Sequence, residues 1–241
     1  MSDMKVGQLW RYPVKSMAGE QIDVVEVQPT GFEGDRRWGV IDVETGRVLT
    51  ARREQRLLFA SARLVAPEEV EIRLPDGEVA DDAALSRWLD RPVAVERAGA
   101  VGGIYDNPRD FENETDWVTW QGPPEAWHDS ARVSLVSTTT LGRWDVRRFR
   151  PNVVLEGNDE DDLVGCRVEI GDVSLEVSKR IDRCVMVTRA QPGIDADLEI
   201  LRTINRTRDT YLAIGARVAR PGQLTVGDDL RLVDTEERLS T

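Results

Sequence analysis

Two cysteines and one histidine are the only soft metal ligands of this 241-residue chain, apart from its methionines. Thiolate chemistry therefore rests on Cys166 or Cys184. Cys184 has the more reactive setting. It closes the run Ser178-Lys179-Arg180-Ile181-Asp182-Arg183-Cys184, which follows Val173-Ser174-Leu175-Glu176-Val177, an alternation with the period of a strand buried on one face. The thiol thus falls at or just past a strand end, among Lys179, Arg180, Arg183 and Arg189. Nearby cations favour the thiolate, the form that acts as nucleophile or soft-metal ligand. The plain alternative is a small buried hydrophobe, and local residues alone leave both open. The cysteines lack the spacing of a paired redox motif. His128 alone argues against a conventional zinc site, which needs three or four protein ligands. A metal held here must bring most of its own ligands, as a cofactor with its own sulfurs would.

The remaining composition narrows the class. Hydrophobic residues make up 40% and charged residues 32%, ordinary for a globular protein with ample core. No long apolar run and no basic-then-apolar leader is present, so the expectation is a cytoplasmic protein with no membrane association. A net charge of -12 repels nucleic-acid backbone, so no nucleic-acid partner is expected. All basic residues but Lys5, Lys15 and Lys179 are arginine, whose planar donors suit oxyanions.

The elements that must position these residues read as mainly β. Val6 to Val14, Ile22 to Val27, Val40 to Asp42, Leu57 to Val65 and Val70 to Leu74 are expected strands, punctuated by turns such as Pro75-Asp76-Gly77. Asp81 opens a helix with Leu85, Trp88 and Leu89 on one face. Residues 98–124 are rich in Gly, Pro, Asn and Asp and are expected to form a boundary or a long loop, whose Tyr105, Phe111, Trp117, Trp120 and nearby Trp127 either line a substrate mouth or pin the loop. Strands return at Val133, Phe149 to Leu155, Cys166 to Ile170 and Val173 to Val177, the last two joined by a Gly171-Asp172 hairpin. A short helix is expected from Thr138, and another from about Asp197 to Arg206 with Leu198, Leu201 and Ile204 inward. Acidic Asp159 to Asp162 reads as a solvated loop, with a cation site as the alternative. Short, evenly spaced strands with few helices favour a closed or partly closed barrel. The chain has no dinucleotide fingerprint and no P-loop.

Several stretches, in order, match one pattern: Tyr12-Pro13-Val14-Lys15-Ser16, Gly34-Asp35-Arg36-Arg37-Trp38, Thr50-Ala51-Arg52, Phe149-Arg150-Pro151-Asn152, Arg183-Cys184 and Val226-Gly227-Asp228. Together they resemble the MOSC-domain family, in the form with an N-terminal MOSC-associated β-barrel domain found in the mitochondrial amidoxime-reducing components and bacterial relatives. The resemblance implies a β-barrel MOSC domain at 101–241, with an aromatic-rich loop at 101–130, and a smaller β-rich domain at 1–100. It also implies a molybdenum cofactor, Mo-molybdopterin, with Cys184 rather than Cys166 as the protein's ligand to the metal. Lys15, Ser16, Arg36 and Arg150 stand at motif positions suited to the cofactor's phosphate, Asn152 suits a pterin edge, and Arg183 precedes the ligand. The chain departs from the family pattern at Asp182, often serine there, and at Arg189-Ala190-Gln191-Pro192-Gly193.

The implied activity is reduction of N-hydroxylated compounds, of amidoxime or hydroxylamine type, by oxygen-atom removal at molybdenum. Two cysteines cannot hold an iron–sulfur cluster, which needs about four, so electrons are expected from a separate flavin or iron–sulfur donor protein. Two other readings stay open: a carrier or sulfur-transfer protein for the cofactor without its own organic substrate, and a metal-free relative in which Cys184 is simply buried.

Overall fold

A computed structural model describes residues 4–110, 115–128, 131–157 and 160–233. Phe111 and Asp159, singled out above, lie outside them. In chain order the strands and helices are β1 (Met4–Arg11), β2 (Glu20–Ile22), β3 (Val24–Gln28), β4 (Gly31–Phe32), β5 (Trp38–Asp42), β6 (Arg47–Val48), β7 (Ser61–Ala66), β8 (Glu69–Arg73), α1 (Asp82–Leu89), β9 (Val93–Arg97), β10 (Ile104–Asp110) and β11 (Thr115–Gln121). There follow β12 (Val133–Ser137), α2 (Thr138–Leu141), β13 (Val153–Glu156), β14 (Arg167–Ile170), β15 (Val173–Asp182), α3 (Glu199–Arg208), β16 (Tyr211–Arg220), β17 (Gly222–Thr225) and β18 (Asp229–Leu232). The fold is mainly β, as expected. Among the described residues no helix is long and apolar enough to cross a membrane.

Seven strands close a barrel in the order β13-β12-β16-β15-β14-β18-β1, and β1 returns to β13. Closure leaves those strands no open edge between them. Val6, Leu9, Leu135, Leu155, Val168, Leu175 and Ile214 fill the interior. Core residues recur at alternating positions, as Val168 and Ile170 of β14 and Leu175 and Val177 of β15 do, the period of strand side chains, while Val6 and Leu9 of β1 stand three apart across a bulge. A register shift between Val6 and Gln8 bulges β1 at Gly7, where a Cβ would lie 2.8 Å from Glu156 Cγ.

β12 and β13 are parallel, so the chain between them must cross over rather than turn back. That crossover carries α2, a 3-10 turn at Val146–Arg148 and the Phe149-Arg150-Pro151-Asn152 motif. The topology therefore delivers Arg150 and Asn152 to one end of the barrel. β15 delivers Arg183 and Cys184 to the cleft in a different way. Its inward alternation of Val173, Leu175 and Val177 gives way to register shifts against β16 near Lys179 and Asp182, and the strand runs five residues further than the alternation predicts.

A second core gathers Val14, Met17, Trp38, Val40, Leu57, Leu85 and Leu89 beneath β5, β9 and α1, with Met186 packed against it. α1 starts where expected: Asp81 Oδ1 accepts from Ala84 N at 2.8 Å, a cap worth about 1 kcal/mol. Several expectations need correction. Leu57 and Leu58 belong to a 3-10 turn, Gln55–Phe59, fixed by the Glu54 cap, and not to a strand. α3 begins two residues late: Ile204 is buried and Leu201 partly buried as expected, but Leu198 is 61% exposed and Ile200 is buried instead. The acidic stretch is not simply a solvated loop: Glu160 is fully buried and accepts from Thr140 Oγ1 at 2.7 Å. Where a loop was expected, β10 and β11 pair antiparallel, with Tyr105 opposite Trp120 and Asn107 opposite Val118. Pro, Asn and Asp in β10 hide that pairing from composition.

Candidate functional site

A cleft of about 810 Å³ is lined by Lys15, Ser16, Arg36, Arg150, Asn152, Arg183 and Cys184, all seven of the residues singled out from sequence. They come from four separated stretches of chain. Cys166 does not line it.

Cys184 is half-buried at the start of a 3-10 turn, Val185–Thr188, with no capping hydrogen bond from its side chain. Arg183 is held firmly: Nε donates to Leu212 O at 2.7 Å and Nη1 to Phe149 O at 3.0 Å. Its Nη2 is buried without a hydrogen-bond partner. Burial pushes the guanidinium down to about 10, against the opposing pull of Cys184 and Asp182, so it stays cationic at neutral pH. Asp182 itself is exposed, where water and salt screen its charge.

Lys15 is buried, with Nζ 3.1 Å from Trp127 O and 4.8 Å from the centre of the Tyr105 ring. Ser16 Oγ accepts from Ala51 N at 2.9 Å, which leaves its hydroxyl proton for another acceptor. Arg36 pairs with buried Asp35 and donates from Nη2 to Arg150 O at 3.0 Å. Arg150 Nη1 donates to Met17 O at 2.6 Å. Both guanidinium groups stack on the Tyr12 ring, at 4.8 Å for Arg36 and 4.3 Å for Arg150. Ser16, Arg36 and Arg150 have φ of 70°, 51° and 53°, a left-handed conformation uncommon outside glycine. Such strain persists only where surrounding structure enforces it, and it clusters at ligand clamps.

Asn152 serves the fold first. Its Oδ1 accepts from Ser134 N and Oγ, both at 3.1 Å, and Nδ2 donates to Trp10 O at 3.3 Å. Asp35 and Trp38 are buried supports rather than lining, whereas Thr50 and Arg52 do line the cleft.

Sequence reasoning missed His128 as a lining residue. Burial drives its imidazole down to about 3, with Asp35 the chief opposing influence, and its Nε2 is buried without a hydrogen-bond partner. A lone histidine carries no spacing signal, so nothing in the sequence would have placed it here. Of the expected aromatics Trp120 lines the cleft, Tyr105 and Trp127 are buried behind it, and Trp117 lies 3.5 Å beneath the Arg53 guanidinium.

The lining carries eight cations, Arg52, Arg109, Arg148 and Lys179 besides those above, against one carboxylate, Asp182. In a chain of net charge -12 this concentrates positive potential in one concavity. Among the described residues no group of three or more His, Cys, Asp or Glu side chains could hold a metal ion. One thiol, an unsatisfied buried guanidinium donor and a cationic surround fit an anionic cofactor that carries its own metal ligands.

Barrel and cleft thus define a β-barrel protein built to hold an anion beside a single cysteine. The MOSC N-terminal beta barrel domain matches residues 3–97 and the MOSC domain residues 125–231; the chain belongs to the MOSC family. MOSC domains are associated with the molybdenum cofactor, and this is a molybdenum-cofactor-related protein. The chain is 26% identical to the human protein named mitochondrial amidoxime-reducing component 1, covering 84% of this chain and 72% of that one. It is 25% identical to rat mitochondrial amidoxime reducing component 2, covering 95% and 83%. The YUAD protein from Bacillus subtilis has a similar fold, with a TM-score of 0.50 and 14% identity over 95% of this chain and 94% of that one.

Proposed function

We propose that the protein is a molybdenum-cofactor-dependent oxidoreductase that reduces N-hydroxylated compounds. The observation that carries this reading is the convergence of Cys184, Arg183, Arg36, Arg150, Lys15 and Ser16 on one cleft. The names of the human and rat relatives supply the reaction class. Cys184 would ligate molybdenum as thiolate, a soft ligand for a metal already held by dithiolene sulfurs. Bound there, the cofactor would supply the two-electron couple that removes oxygen from an N–O group. The chain's own residues bind and orient. Arg36 and Arg150, fixed on the Tyr12 ring, present forked donors to a terminal phosphate, Lys15 adds a point charge, and the Ser16 hydroxyl donates. Arg183 Nη2 offers a buried donor beside the cysteine. The paired strands β10 and β11 contribute Asn107, Arg109, Val118 and Trp120 to the cleft wall. Electrons would come from a separate flavin or iron–sulfur protein, since two cysteines cannot hold a cluster.

The test uses protein purified from a molybdopterin-producing host, with benzamidoxime and a chemical reductant. Wild type is expected to form benzamidine, and Cys184→Ser is expected to lose at least about 100-fold in rate, the scale of a few kcal/mol in barrel-bound transition-state stabilisation. A Cys184→Ser protein with retained cofactor and full N-reductase activity would overturn the assignment.

A further inference from the structure

We infer that the substrate of this cleft is an organic anion, a carboxylate-bearing N-hydroxylated compound whose flat portion rests on Trp120 and whose charge is met by Arg109 and Lys179. The inference rests on the reductase reading just given. Strand side chains alternate, so Asn107 and Arg109 of β10 share a face with Val118 and Trp120 of β11, and all four line the cleft. The opposite face is fastened down: Asp106 pairs with Arg47 at 2.8 Å and Trp117 lies against Arg53. The hairpin is therefore anchored by its outer face and presents its inner one. Trp120 is 38% exposed and backed by the Tyr105 ring at 5.5 Å, an open aromatic surface with a rigid support.

Charge points the same way. A terminal phosphate monoester carries about 1.5 to 2 negative charges, and Lys15, Arg36 and Arg150 suffice to meet it. Arg109 and Lys179 are further cations on the same lining, both exposed. Arg109 meets Asp116 only at 3.7 Å, with both side chains about two-thirds exposed, a pairing of little strength. Lys179 makes no ion pair among the described residues. The one lining carboxylate, Asp182, does not balance them. A neutral substrate would leave this charge unused, whereas a carboxylate would bridge it.

Equilibrium dissociation constants of the holoprotein for benzamidoxime and 4-carboxybenzamidoxime, measured by calorimetry without reductant, test this. The carboxylated ligand is expected to bind about tenfold more tightly, a difference of about 1.4 kcal/mol. The double variant Arg109→Gln/Lys179→Gln is expected to bring the two within about twofold, with neutral-ligand affinity and molybdenum content unchanged. Equal affinities in the wild type overturn the inference, as does a preference that survives the double substitution. Loss of molybdenum in the double variant also overturns it, because it assigns those cations to the cofactor. Turnover separates the two levels: preferential binding with no reduction of either compound refutes the reductase reading alone, and reduction of both at equal affinity refutes the anion site alone.

Discussion

Arg183 is fixed by two hydrogen bonds to carbonyls that lie far from it in sequence, Leu212 O and Phe149 O. A lysine there reproduces the charge but not the planar fork. Arg183→Lys is expected to cost about 1–3 kcal/mol, because carbonyls are left unpaired in a buried setting, and to reduce molybdenum per chain; thermal unfolding and metal analysis check both. His128 supplies a pH signature. Its folded value, about 3, lies below the ordinary 6.5, so the unfolded chain binds a proton that the folded chain refuses. Stability from this group is therefore complete above about 6.5 and falls with a slope approaching 1.4 kcal/mol per pH unit as the pH drops towards 3. His128→Gln is expected to flatten the loss between pH 6.5 and 5, where carboxylates contribute little, in urea titrations across that window. The cleft lining was legible at this scale through the ordered motifs that carry Lys15-Ser16, Arg36, Arg150, Asn152 and Arg183-Cys184; residue type alone left Cys184 open between a metal ligand and a small buried hydrophobe. His128 was not, since its burial depends on distant stretches such as that of Asp35, whose Oδ2 lies 4.0 Å from His128 Nε2, which no local pattern reveals.

At the scale of elements, the hairpin β10–β11 and the extension of β15 were the least legible. β10 carries Asp106, Asn107, Pro108 and Asp110, residues depleted in strands, and its pairing with β11 outweighs that preference. β15 passes Val177 with its alternation broken by register shifts, and those shifts help direct Arg183 and Cys184 into the cleft. Trp120→Ala removes the exposed wall of the hairpin without opening the barrel core. It is expected to raise KM for benzamidoxime several-fold, about 1 kcal/mol of lost stacking, with kcat within about twofold and Tm within a few degrees. Steady-state kinetics and a melting curve decide it. A fall in kcat with unchanged KM would move Trp120 from substrate binding to the chemistry.

For the whole molecule, the mainly β character was plain from short strands and turns, but closure was not. β1 pairs with β13 and β18, contacts between opposite regions of the chain that no periodicity encodes. Those pairings hold the Tyr12–Ser16 segment against the crossover bearing Arg150, so barrel and site stand or fall together. Leu9 is fully buried in that seam. Leu9→Ala is expected to destabilise by about 2–5 kcal/mol, read by urea unfolding, and to weaken cofactor retention even though Leu9 does not line the cleft.

The proposed reaction stands on Cys184 as the protein's ligand to molybdenum. Molybdenum-edge X-ray absorption of wild-type protein and Cys184→Ser, each from a molybdopterin-producing host, tests it most directly. The expected result is a metal whose sulfur shell loses one neighbour in the variant. An unchanged sulfur shell, or wild-type protein without molybdenum, would contradict it.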